Sequence, residues 1–221
     1  MIAEELINPM IPPLKLSDDS EKARVWMEEL RLHQLPVVEG GQFLGMLEED
    51  SLLEGEPEKQ PIREYPLDAQ EARVNQNQHF YEIIRAACSH DVGLVAVEDE
   101  EGKYQGVVTL EDTIQAFAKT TSVDSPGGIL VLRMRQTDYS LAEISRLIEA
   151  EDAKILSLNL SSDPYDSAKI ILTLKVNKMD LTRIIATLER FEYTISAQFH
   201  EPDREDFQRE RLEALMKYLD L

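Results

Sequence analysis

A phrase that occurs twice constrains this chain more than any other feature. Residues 35–53 read LPVVEGGQFLGMLEEDSLL, and residues 94–114 read LVAVEDEEGKYQGVVTLEDTI. Each copy runs an apolar strand into an acidic turn, then a second apolar stretch with a glycine (Gly45, Gly106), then an acidic helix start. Self-similarity of this kind means that one supersecondary unit was built twice, and paired units bury their apolar faces against each other.

The flanking residues complete each copy. Ser17 to Asp19 precede Ala23, Trp26, Met27 and Leu30 at helical spacing; in the second copy Asn77 is placed to cap a helix with Phe80, Ile83, Ile84 and Ala87 on its inner face. Strands are expected at 35–38, 42–47, 93–97 and 104–109, and a short helix over 111–118 is expected to carry Ile114 and Phe117 inward. Each copy therefore reads strand, helix, strand, strand, helix, as a first module over 1–60 and a second over 61–119.

Residues 120–128, TTSVDSPGG, lack apolar periodicity and read as a linker. Beyond it the order over 129–200 becomes βαββαβ, one helical layer on one antiparallel sheet. Its elements include a stripe of Leu141, Ile144, Leu147 and Ile148, and a strand with Leu156, Leu158 and Leu160 on one face; Asp180 is expected to cap the second helix. The tail over 203–221 has Phe207, Leu212, Leu215, Met216 and Leu219 at helix spacing, which predicts an amphipathic helix docked on the body or on a second copy. The fold class expected is mixed α/β (α+β).

The 221 residues carry a formal net charge of −20, against a nucleic-acid groove or an anionic membrane surface as partner. The one cysteine, Cys88, cannot form an internal disulfide and is expected to pack inside its helix pattern. No stretch approaches the roughly 20 apolar residues of a membrane span, and the start MIAEELINPM lacks the features of a signal peptide. The expectation is a cytoplasmic protein with no membrane partner.

The two copies resemble CBS domains, the paired modules first noticed in cystathionine β-synthase, through NPMIPPLKLSDDSEKARVWM and LPVVEGGQFLG in the first and VVTLEDTI in the second. The segment 126–200 looks like an ACT domain by strand order, and the whole is similar to the CBS-CBS-ACT accessory proteins associated with acetoin utilisation in bacteria. The resemblance implies an adenosine-containing effector, such as AMP, ATP or S-adenosylmethionine, in the cleft of the pair, with no required cofactor. The family's motif places a hydroxyl toward phosphate or ribose and a carboxylate on the ribose hydroxyls; the second copy matches it as GVVTLED, with Gly106, Thr109 and Asp112. Arg73 is a further candidate for a phosphate contact. Thr109 and Asp112 read equally well as capping residues of a helix start.

The first copy departs from the motif: Glu48 holds the hydroxyl position and Ser51 the carboxylate position, with Asp50 one residue early. An acid there repels an anionic ligand, so at most one nucleotide site per chain is expected. The net charge of −20 favours a ligand of low charge or a magnesium-neutralised nucleotide. In the ACT-like loop RQTDYSLAEI, Asp138 is in place, but Ser140 stands where the family has glycine, which points to a dimerisation scaffold rather than an amino-acid sensor.

His33, His79, His90 and His200 have no metal-ligand spacing, and no phosphate loop, nucleophile elbow or dinucleotide fingerprint is present. A non-enzymatic regulator is expected, with a ligand-independent assembly scaffold as the alternative. A homodimer is the default, because both module types associate through two-fold interfaces.

Overall fold

A computed structural model describes residues 1–54 and 59–200, so the helix expected over 203–221 lies outside the described residues. The chain divides into two compact units, Met1–Phe117 and Ala118–Leu221.

The repeat organises the first unit. Helix α1 (Ser20–Leu30) begins where the Asp19 carboxylate accepts from the Lys22 N–H, and it ends at Arg31 with φ 55°. Strand β1 (Gln34–Glu39) then pairs antiparallel with β2 (Gln42–Glu48) across Gly40 and Gly41, and α2 (Glu49–Glu54) follows. The second copy supplies β3 (Arg73–Asn75), α3 (Phe80–His90), β4 (Leu94–Glu98), β5 (Tyr104–Thr109) and α4 (Leu110–Thr120). Even irregularities recur: α3 also ends in a left-handed residue, Asp91 at φ 53°, and the hairpins shift register at Val37/Val38 and Val97/Glu98.

Four expectations for this unit are corrected. The first copy has no strand before α1, only a parallel bridge from Leu14 to Val37, because Pro36 has no N–H to donate where Ala96 of the second copy donates to the Ala72 carbonyl. His79, not Asn77, caps α3 with its ring accepting from the Tyr81 N–H, since a cap must directly precede the first helical residue and Asn77 stands too early; its side chain donates to Glu100 instead. Cys88 is exposed, because it follows buried Ala87 by about 100° around the helix. On α4 the buried residues are Thr113 and Ala116, while Ile114 and Phe117 are 60% and 39% exposed; the small side chains form the stripe that meets the core.

The lead-in segments are exchanged between the modules. Residues 1–8 pack on the second module, where the Ala3 N–H donates to the Gln78 carbonyl (2.8 Å) and the Asn8 N–H to the Val107 carbonyl (2.8 Å). Residues 60–70 pack on the first, where Met46 and Asp68 exchange backbone hydrogen bonds of 2.7 and 2.9 Å. The modules also share apolar surface: Leu94, Ala96 and Val107 lie in one core with Leu35, Val37, Met46 and Leu47.

The second unit consists of β6 (Gly128–Arg135), α5 (Leu141–Ala150), β7 (Ile155–Ser162), β8 (Lys169–Val176), α6 (Thr182–Arg190) and β9 (Thr194–His200). The strand order β7-β8-β6-β9, antiparallel at each pairing, is ferredoxin-like. Ile144, Leu147 and Ile148 of α5, with Ile184 and Leu188 of α6, pack on Leu130, Leu132, Leu172 and Leu174. Leu181, not Asp180, holds the cap position of α6; Asp180 stands one residue earlier and its carboxylate accepts from the Thr182 N–H (3.0 Å). On β7 a register shift between Ile155 and Ser157 puts Ile155 rather than Leu156 with Leu158 against the core; Leu160, two residues further along the same ladder, is exposed.

Candidate functional site

The strand-to-helix junction of the second module joins two of the residues singled out in the sequence. Thr109 ends β5 and Asp112 lies in the first turn of α4. The Thr109 hydroxyl accepts from the Asp112 N–H (2.9 Å) and donates to Asp112 Oδ2 (2.6 Å), so the pair closes its own cap. The lead-in segment supplies a third member: Asn8 Nδ2 donates to the same Oδ2 (3.0 Å). All three residues are partly buried, and among the described residues Asp112 Oδ1 receives no hydrogen bond.

Gly106 makes room for this arrangement. A Cβ there would lie 2.4 Å from Ile7 Cγ2, so only a residue without a side chain lets the lead-in segment cross β5 and deliver Asn8. Asn8 escaped the sequence reading because MIAEELINPM shows no periodicity; its signal was its place six residues before Leu14, as Asp68 stands six before Val74.

Arg73 is not part of the network. Its guanidinium pairs with Glu98 (3.4 Å) and Glu71 (3.5 Å), with β4 between its strand and β5.

The matching place in the first module is acidic. Glu48 stands where Thr109 stands, and Asp68 meets Met46 as Asn8 meets Val107. Burial raises the Glu48 carboxyl above its ordinary value, and the neighbouring Asp68 and Asp50 charges raise it further. Asn8 and Asp68 are thus one position filled once by a donor and once by an anion.

In the second unit a cavity of about 390 Å³ lies beside the β6 to α5 loop, lined by Arg133, Arg135, Asp138, Glu143, Lys169 and Tyr193 among others. Ser140 caps α5 by accepting from the Glu143 N–H (3.3 Å). The Tyr193 hydroxyl donates to Glu143 (2.9 Å) and is pushed up to about 12, chiefly by burial and then by that carboxylate.

Among the described residues, no three His, Cys, Asp or Glu side chains are grouped to hold a metal ion. Also among the described residues, no helix is long and apolar enough to cross a membrane.

No protein-family model matches the chain. A CBS domain pair/ACT domain protein from Thermotoga maritima is similar in structure, with TM-score 0.50 and 18% identity over 54% of this chain and 98% of that one. CBSX2 in complex with AMP gives TM-score 0.45 and 16% identity, over 53% of this chain and 96% of that one. The cytosolic domain of the Mg2+ channel MgtE in complex with ATP gives TM-score 0.44 and 20% identity, over 52% and 48% respectively. At 18% identity the first likeness is one of fold: about half of the chain shares the fold of a CBS domain pair protein.

Proposed function

We propose that this protein is a non-enzymatic regulator that binds an adenosine-containing ligand at the Thr109 and Asp112 junction of its CBS pair. The second unit then serves as an ACT-type dimerisation scaffold. The observation that carries the reading is the half-buried Asp112 carboxylate, whose Oδ2 is held by Thr109 and Asn8 while Oδ1 takes no hydrogen bond among the described residues. A carboxylate fixed in this way is a ready acceptor for a ribose hydroxyl, a bond of about 1.5 to 3 kcal/mol. The acidic cluster at Glu48, Asp50 and Asp68 disfavours the same anionic ligand in the first module, which gives one site per chain.

The test is a melting scan with AMP, ATP with and without magnesium, and S-adenosylmethionine. A ligand at a hundred times its dissociation constant stabilises by about 2.7 kcal/mol. The reading requires a shift in wild type that Asp112→Ala removes.

A second reading, ligand-independent assembly, is favoured by a different observation. Leu53 on α2 and Leu110 and Ile114 on α4 are 70%, 46% and 60% exposed, apolar side chains of the kind that a second copy would cover. No melting shift with any of these ligands would favour it.

A further inference from the structure

The lead-in segment does more than cover β5. Asn8 is anchored at three points: its N–H donates to the Val107 carbonyl (2.8 Å), its Oδ1 accepts from the Met10 N–H (3.0 Å), and its Nδ2 donates to Asp112 Oδ2 (3.0 Å). The Met10 contact settles which end of the amide faces Asp112, because the oxygen is needed for the backbone N–H and the donor end is left for the carboxylate. Ile7, held against Gly106, fixes the approach from the preceding residue. A side chain locked by its own backbone holds a partner at little further cost in rotamer entropy.

We infer that Asn8 is the positioning and specificity residue of the candidate site: it holds the Asp112 carboxylate in the one orientation that turns Oδ1 toward a ribose hydroxyl. This inference rests on the proposed adenosine-ligand reading and adds the residue that determines its selectivity. Thr109 and Asn8 converge on the same oxygen, so the carboxylate cannot rotate without breaking one of the two hydrogen bonds. The first module carries the counterexample. Its equivalent residue, Asp68, puts a negative charge near Glu48 and Asp50 where Asn8 puts a donor. The difference between the modules is therefore written in the lead-in segments as well as in the GVVTLED motif, and a module needs both to take a ribose.

The test combines calorimetric titration of the full chain with melting curves of the ligand-free protein. Wild type, Asn8→Ala and Asn8→Asp are titrated with AMP and with its 2′-deoxy and 3′-deoxy analogues. Wild type is expected to prefer AMP, Asn8→Ala to narrow that preference by about threefold or more, and Asn8→Asp to weaken AMP binding by about tenfold or more. A merely structural asparagine lowers the melting temperature and leaves the ratio of AMP to its deoxy analogues unchanged; that result overturns the inference.

The melting curves compare Asn8→Ala, Asp112→Ala and the double variant without ligand. Coupled residues give a double variant that loses less than the sum of the two single losses, the Met10 contact of Asn8 being lost in either background, whereas strictly additive losses overturn the contact itself. If wild type binds none of the three compounds, the adenosine reading and the selectivity role fail together, and the melting comparison still decides whether Asn8 holds Asp112.

Discussion

Ile7 crosses β5 directly over Gly106, so close that a Cβ on the glycine would lie 2.4 Å from Ile7 Cγ2. The same relation recurs in the first module, where a Cβ on Gly45 would lie 2.8 Å from the Asp68 carbonyl oxygen. The glycines of the doubled phrase are the points at which each lead-in segment docks on the other module.

Gly106→Ala is therefore expected to destabilise the first unit by about 1 to 3 kcal/mol, the usual cost of overpacking, and to lift Asn8 from Asp112. Gly45→Ala should cost more, because the obstacle is backbone and its φ of 145° disfavours any side chain. Urea denaturation of both variants checks the order; equal or reversed losses would contradict the docking account.

Removing the Asp112 side chain deletes the acceptor shared by Thr109 and Asn8. Asp112→Ala should cost about 1 to 2 kcal/mol without any ligand. The measurement is again the denaturation midpoint, with Glu111→Ala, an exposed acid in the same turn, as the control expected to stay within about 0.5 kcal/mol of wild type.

Glu48 gives a prediction of the opposite sign. Its folded carboxyl is raised above the ordinary 4.5 by burial and by Asp68 and Asp50, so the folded state holds this proton more tightly than the unfolded chain. The associated stability is fully present below the ordinary value and is lost as pH rises through the folded one. Glu48→Gln should therefore raise the melting temperature near neutral pH, by an increment that vanishes toward about pH 4. A constant increment across that range would place its origin elsewhere.

Asp163 reverses the direction. A hydrogen bond from the Tyr165 N–H, with help from the Arg133 ion pair, holds its carboxyl below the ordinary 3.8 against the opposing effect of burial. A lowered folded value gives stability that is present above the ordinary value and lost as pH falls through the folded one. Asp163→Asn should flatten the acid limb of the second unit's stability profile, and an acid limb identical to wild type would remove Asp163 from that role.

The sequence carried the repeat because strands and glycines leave local marks. LPVV and LVAV alternate with turn formers, and Gly45 and Gly106 stand at one place in both copies. The ferredoxin-like order was legible for the same reason, from strand and helix periods that change after residue 128. Periodicity failed where two stripes compete: Ile114 and Phe117 are as regularly spaced on α4 as Thr113 and Ala116, and only tertiary packing chooses the smaller pair. Cys88 was misplaced in the same way. The exchange of lead-in segments left no local mark at all, since a segment that docks through backbone hydrogen bonds needs no apolar period. Thr109 and Asp112 were therefore found from their own turn, while Asn8, 104 residues from Asp112, was not.

The most direct test of the central claim is a calorimetric titration of AMP into wild type and Asp112→Ala, read for stoichiometry as well as affinity. The account predicts one AMP per chain in wild type and none in Asp112→Ala. Two equivalents per chain, none in wild type, or binding that survives Asp112→Ala would contradict it.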